Sequence, residues 1–253
     1  MTEEVTAFDL RVTGEIPREL AGRLLRIGPN PVEPPDPAKY HWFLGNGMVH
    51  GVRLRDGRAE WYRNRYVRDD QVTAAKGWPT TPGPRHGMGS VANTNVIEHA
   101  GRTWALVEAG GLPVELTAEL ETVAYSNFDG TLPGSFTAHP KRDPDTGELH
   151  AMVYYWAWEH VQYVVVGVDG RVRKTVNVPV PGKPMLHDCA ITENYVVIFD
   201  LPCTFKLENL EGGAPFPYAW DPDYGARVGL LPRADADASR VRWLEVPLCY
   251  VFH

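Results

Sequence analysis

The chain has 253 residues, 43% of them hydrophobic and 23% charged, with a net charge of −7 and a pI near 5.7. That length and apolar content suffice for one large all-β domain or two ordinary ones, and the acidic balance excludes the basic footprint of a nucleic-acid binder. No apolar run is long enough to span a bilayer, Met1 to Asp9 carries three carboxylates where a secretory signal would be apolar, and three widely spaced cysteines (Cys189, Cys203, Cys249) fit a reducing cytoplasm better than a disulfide scaffold.

Strand signals dominate in chain order. Gly51 to Leu54, the turn Asp56-Gly57 and Ala59 to Val67 read as a hairpin. Asn95 to His99, Ala100-Gly101 and Arg102 to Val107 read as another. Val114 to Thr122 reads as the one helix, and a short one. His150 to Trp158 is a strand following the turn Asp145-Thr146-Gly147. Gln162 to Val168, Asp169-Gly170 and Arg171 to Val178 form the clearest hairpin, and Tyr195 to Leu201 is an apolar strand stopped by Pro202. The Pro/Gly-rich stretches Gly28 to Pro37, Trp78 to Gly89 and Gly212 to Pro222 read as long loops. Consecutive hairpins without long helices imply a sandwich, barrel or propeller. The length exceeds a usual sandwich and favours a β-propeller, with about five or six blades at roughly 40–50 residues per blade.

Of nine histidines, three stand at the ends of apolar segments where a strand can aim a side chain into a cavity. His139 follows Phe136-Thr137-Ala138, His187 follows Pro184-Met185-Leu186, and His253 follows Cys249-Tyr250-Val251-Phe252. Neutral imidazoles gather round a metal without mutual repulsion. The bland alternative for each is a satisfied core or surface histidine. A competing metal reading adds Cys189 and Cys249, close in sequence to His187 and His253, as a closed tetrahedral zinc site; small apolar core cysteines are the simpler account. Glu108 ends the apolar strand Trp104 to Val107. It is either a carboxylate at the solvent rim or an acceptor for the free N–H of a metal-bound histidine.

Nine stretches in order resemble the carotenoid oxygenase family, which includes carotenoid cleavage dioxygenases, lignostilbene dioxygenases and the retinoid isomerase. They are LAGRLLRIGPN (Leu20 to Asn30), GMVHGVR (Gly47 to Arg53), NRYVR (Asn64 to Arg68), VEAGGLP (Val107 to Pro113), FTAHPK (Phe136 to Lys141), DPDTGEL (Asp143 to Leu149), MLHD (Met185 to Asp188), FDLP (Phe199 to Pro202) and CYVFH (Cys249 to His253). The resemblance implies a seven-bladed propeller with four histidines on its axis holding Fe2+. His139, His187 and His253 match the first three of these ligands. Glu108 matches the first carboxylate behind them, with His139 as its expected donor. His50 matches a structural position. The family is about twice this long, beyond an ordinary single domain, so residues 1–253 are expected to be a partial propeller without its C-terminal blades, and not a competent enzyme alone.

The implied reaction is cleavage of a conjugated C=C bond of a carotenoid or apocarotenoid with O2, giving aldehyde or ketone products. The implied partners are a hydrophobic polyene and O2. The implied setting is the cytoplasm, with peripheral membrane contact to collect substrate. Phe136, Tyr155 and Trp156 are the aromatic candidates for the substrate tunnel, with core packing as their competing role. Two departures matter. Leu44-Gly45-Asn46 stands where an acidic residue is usual, and Val107 stands where lignostilbene-type members carry a lysine that grips a phenol, which argues for an apolar substrate. The rival readings are a phenolic stilbene dioxygenase, a non-redox isomerase or hydrolase on the same scaffold, and a non-catalytic propeller that binds partners.

Overall fold

The computed structural model describes residues 1, 3–87, 91–214 and 216–253. Among these, the chain folds into four four-stranded antiparallel sheets and one two-stranded sheet. The first sheet holds β1 (Val5–Phe8), β2 (Gly22–Pro29), β3 (Gly47–Arg55) and β4 (Arg58–Tyr66), in the spatial order β1-β4-β3-β2. The second is the meander β5 (Asn95–His99), β6 (Arg102–Leu106), β7 (Val114–Leu116) and β8 (Thr122–Tyr125). The third is the meander β9 (Lys141–Arg142), β10 (Leu149–Val153), β11 (His160–Val166) and β12 (Val172–Pro179). In the fourth, β13 (Cys189–Ile191) and β14 (Tyr195–Asp200) are followed by an excursion carrying β15 (Cys203–Phe205) and β16 (Tyr218–Trp220). The chain then returns as β17 (Arg227–Pro232) beside β14, with β18 (Arg242–Glu245) outermost.

The cores lie between successive sheets. Val49 and Trp61 of the first sheet meet Ala105, Val114 and Leu116 of the second. Trp104 and Leu106 point the other way, against Leu149, Ala151 and Val153 of the third. On β11, Val164 and Val166 join that second layer, while Val161, Tyr163 and Val165 pack towards Val196, Ile198 and Leu231 of the fourth sheet. A strand buried on both faces must be apolar at both parities, which explains the uninterrupted run Tyr163 to Val166. Edge strands of neighbouring sheets approach one another, β2 beside β5 and β9 beside β13. This is the arrangement of blades about an axis, and the sheets do not close into a ring.

Two turns read from sequence form as expected. Asp56 and Gly57 both have positive φ (50° and 74°), as do Ala100 and Gly101 (54° and 71°); this is the type I′ geometry that matches the twist of a two-residue hairpin. Val114 to Thr122 is not a helix. It is β7, a turn and β8, because the Thr117 hydroxyl accepts from the Glu119 and Glu121 amides and Leu120 takes a φ of 70°, which closes a hairpin after three strand residues. His150 to Trp158 is strand only as far as Val153. The loop reading of Gly212 to Pro222 misses β16, and Pro215 within it lies outside the described residues, as do the last two residues of Trp78 to Gly89. The blades are fewer than the length predicted, since long connections and the excursion consume chain.

Two short helices were not anticipated, α1 (Asp70–Lys76) and α2 (Leu207–Glu211). The Asp69 side chain caps α1 by accepting from Val72 N at 2.8 Å, and Gly77 ends it at φ 65°. Asn46 donates to both Asp69 oxygens at 3.1 and 3.0 Å. An acid there would set two carboxylates against each other.

Candidate metal centre

Three histidines arrive at one place, two of them by the same local device. His139 lies two residues before β9, and His187 two residues before β13. Both therefore stand where the chain enters an innermost strand. Asn95 Nδ2 donates to the Ala138 carbonyl at 2.8 Å, and the Thr137 hydroxyl accepts from His139 N at 3.3 Å, so the approach to His139 is fixed. His253 follows β18 and the segment Cys249 to Phe252. The ring centroids lie 4.5 Å apart for His139–His187, 4.6 Å for His139–His253 and 5.0 Å for His187–His253. One nitrogen from each ring falls within 4.8 Å of the others.

The partners of each ring determine which nitrogen is free. His187 Nδ1 donates to Glu108 Oε1 at 2.9 Å, leaving Nε2 with its lone pair. His253 Nδ1 lies 3.0 Å from Asp188 Oδ2, which also accepts from Lys141 Nζ at 2.8 Å. Burial raises the Asp188 carboxyl, but hydrogen bonds from Lys141, His253 and the Cys189 amide outweigh it and hold its pKa below the ordinary value. His139 Nε2 is buried with no hydrogen-bond partner. Burial, and then the neighbouring His187, push the His139 imidazole down to about 4, so it is a neutral donor at physiological pH. An orphaned buried nitrogen beside two imidazoles oriented by carboxylates fits a first-row divalent metal.

Glu108 is thus not a rim carboxylate, and its donor is His187 and not the expected His139. The two Nδ1 partners are both acids reached across the fold, Glu108 and Asp188. Sequence reading missed Asp188, whose only signal was its place next to His187. The cysteines do not join the cluster: Cys249 is exposed, and burial pushes the Cys189 thiol up to about 12, which keeps it a protonated core group. His50 is engaged elsewhere, its Nδ1 2.8 Å from the Tyr62 hydroxyl on the neighbouring strand.

Beside the cluster lies a cavity of about 530 Å3, lined by Phe43, Val107, Met185, His187, Phe216 and Phe252 together with Glu108, Tyr154 and Tyr218. The three aromatic residues expected to line a tunnel are not among its walls. Phe136 packs in the core between the second and third sheets, 5.0 Å edge-on to Phe128. Tyr155 lies over Gly110, where an added Cβ would meet its ring at 2.8 Å. Trp156 stacks on Phe205 at 5.4 Å. Strand alternation ends at Val153, so Tyr154 is the aromatic that turns into the cavity.

The comparisons with known proteins bear on the fold and the family. The family model described as retinal pigment epithelial membrane protein matches residues 1–253. The chain belongs to this family, the carotenoid oxygenases. A carotenoid cleavage oxygenase of Mycobacterium tuberculosis is 48% identical over 295 residues, covering 100% of this chain and 59% of the relative. A carotenoid 9,10(9′,10′)-cleavage dioxygenase of Crocus sativus is 36% identical over 97% of this chain and 50% of its own length. The crystal structure of a Pseudomonas brassicacearum lignostilbene dioxygenase superposes with a TM-score of 0.86 at 32% identity, covering 98% of this chain and 54% of the other. This carotenoid oxygenase-family chain therefore spans a little over half the length of the relatives it matches, and its blades are those of their β-propeller. No helix among the described residues is long and apolar enough to cross a membrane.

Proposed function

We propose that residues 1–253 form part of the propeller domain of a non-haem Fe2+ dioxygenase that cleaves a conjugated C=C bond of a carotenoid or apocarotenoid with O2. The convergence of His139, His187 and His253 from separate parts of the fold carries this reading. Fe2+, held by His139, His187 and His253, would supply the redox chemistry that O2-dependent cleavage of an electron-rich olefin requires. The protein's own contribution is positional. Glu108 holds the Nδ1–H of His187, which fixes its tautomer and turns Nε2 towards its neighbours. Asp188 does the same for His253. Phe43, Met185, Phe216 and Phe252 form an apolar wall that excludes water beside the cluster and accommodates a polyene.

The polyene is delivered by peripheral contact of a cytoplasmic protein with a membrane surface. Leu44 supports this: it lines the cavity, yet is 42% exposed, and so places apolar surface at its rim. The likeness to a lignostilbene dioxygenase structure supports a second reading, a phenolic stilbene as substrate. The test is metal analysis of the complete gene product with O2 uptake and product identification on both substrate types. One iron per chain and O2-dependent carbonyl products are expected; a purified protein without iron or O2 uptake would favour a non-catalytic binding propeller.

A further inference from the structure

His187 and His253 both stand outside strands. His187 lies between the isolated bridge Pro184↔Thr204 and the start of β13, and His253 lies beyond β18. Among the described residues no sheet ladder pairs the two segments. Glu108 governs the rotation of the His187 ring, but a ring reaches only as far as its Cα allows, so the backbone needs its own hold. Tyr250 supplies one. Its hydroxyl donates to the Met185 carbonyl at 3.0 Å and accepts from the His187 amide, and so grips the chain on both sides of Leu186. Met185 and Leu186 are buried, which keeps bulk water from taking over that bond. Phe252 stands edge-on to the Tyr250 ring at 4.8 Å and to the His187 ring at 5.3 Å. The next residue is His253. One short segment thus holds the backbone of one ligand, buttresses its ring and delivers a second ligand.

A phenol is at once donor and acceptor, so one oxygen can meet a carbonyl and an amide two residues apart. Without it both backbone groups lose a partner in a buried place, and the segment must shift to find others. Metal–ligand distances tolerate only about 0.2 Å, so such a shift reaches the centre. Unlike Phe252, Tyr250 is not a wall of the cavity, and its hydroxyl is not placed to meet a substrate. We propose that Tyr250 is a positioning residue: by clasping the backbone at Met185 and His187 it sets the separation of two metal ligands, His187 and His253. This rests on the three histidines being the iron centre of the oxygenase proposed above.

The test is titration of Co2+ into the metal-free complete gene product, since the visible d-d bands of Co2+ report the geometry of its ligands. Tyr250→Phe removes one oxygen and keeps the ring. It is expected to weaken Co2+ binding about 10-fold and to shift the d-d bands. Tyr163→Phe is the control, because it deletes a hydroxyl from the same core, one that meets His150 Nδ1 at 2.6 Å. It is expected to lower the melting temperature by a similar amount, to hold Co2+ within about 2-fold of the wild-type affinity and to leave the bands in place. Wild-type bands in Tyr250→Phe would overturn the proposal whatever the affinity, as would equal losses of affinity in the two variants, which would mark a general loosening of the core. A wild type that binds no Co2+ would remove the centre and the clasp together. O2 uptake is measured separately on the iron-loaded wild type. Bands that depend on Tyr250 in a protein without O2-dependent cleavage would leave the clasp and remove the oxygenase reading; cleavage with bands indifferent to Tyr250 would do the reverse.

Discussion

Glu108 illustrates how much of the centre depends on single atoms. One oxygen fixes His187, and the residue also lines the cavity. Glu108→Gln keeps the shape but weakens the acceptor, and in the complete gene product it is expected to lower iron affinity about 10–100-fold. Competition with a chromogenic chelator measures this; unchanged affinity would remove Glu108 from the centre. The backbone behind it is also committed. Ala109 has a φ of 61° and Gly110 a φ of 126°, and the Gly110 carbonyl lies 2.8 Å from His86 Nδ1. A side chain at Gly110 would be strained by its backbone and would run into the Tyr155 ring. Gly110→Ala is expected to cost about 1–3 kcal/mol, read by denaturant unfolding, and to weaken iron binding by displacing Glu108. A variant of wild-type stability would contradict this account of the turn.

At the scale of elements, turn chemistry decided what was legible in the sequence. Asp56-Gly57 and Ala100-Gly101 announce their hairpins because both central residues need positive φ and the flanking strands alternate. Val114 to Thr122 misled because Glu115, Leu116, Ala118, Glu119 and Leu120 are good helix formers, while the feature that wins, the Thr117 hydroxyl collecting two amides, is a single side chain. Thr117→Val is expected to cost about 1 kcal/mol in thermal or denaturant unfolding, and an unchanged midpoint would leave the hairpin without this explanation. The site was legible in the same uneven way. His139, His187 and His253 stood out at the ends of apolar segments. Which of them Glu108 would hold did not, because Glu108 and His187 are 79 residues apart and meet only through blade packing. Tyr154 and Tyr218 were hidden for a similar reason: strand alternation stops at Val153, and β16 belongs to an excursion with no periodic signal.

At the scale of the molecule, stability resides between blades. Phe128 is fully buried at one such seam, edge-on to Trp104 at 5.3 Å and to Phe136 at 5.0 Å. Phe128→Ala is expected to cost about 3–5 kcal/mol, and a loss under 1 kcal/mol would place the core elsewhere. Two buried histidines give the fold an acid limit. His99 lies with Nε2 2.8 Å from the Gly167 carbonyl, and His150 with Nδ1 2.6 Å from the Tyr163 hydroxyl. Burial lowers the pKa of both. The unfolded chain therefore binds protons that the folded chain refuses, so stability is full above an unfolded-state pKa of about 6.5 and is lost as the pH falls from there through the folded values. The melting temperature is expected to drop between pH 7 and pH 5, and less steeply in His150→Gln; a flat profile in the wild type would contradict this. The excursion of the fourth sheet has a different kind of consequence. β14 pairs with β17 without a break from Tyr195↔Pro232 to Asp200↔Arg227, so everything from Leu201 to Ala226 leaves and re-enters at one neck. Asp200 bolts that neck, accepting from Arg227 Nε at 2.7 Å and from the Tyr224 hydroxyl at 2.6 Å. Phe216 and Tyr218, two walls of the cavity, ride on this segment. The same segment is tied by backbone to the approach of His187, Met185 N donating to the Cys203 carbonyl at 2.7 Å and Phe205 N to the Lys183 carbonyl at 2.9 Å, so a change in its length would reach the cavity wall and the histidine cluster together while the register of the blade strands stayed as it was.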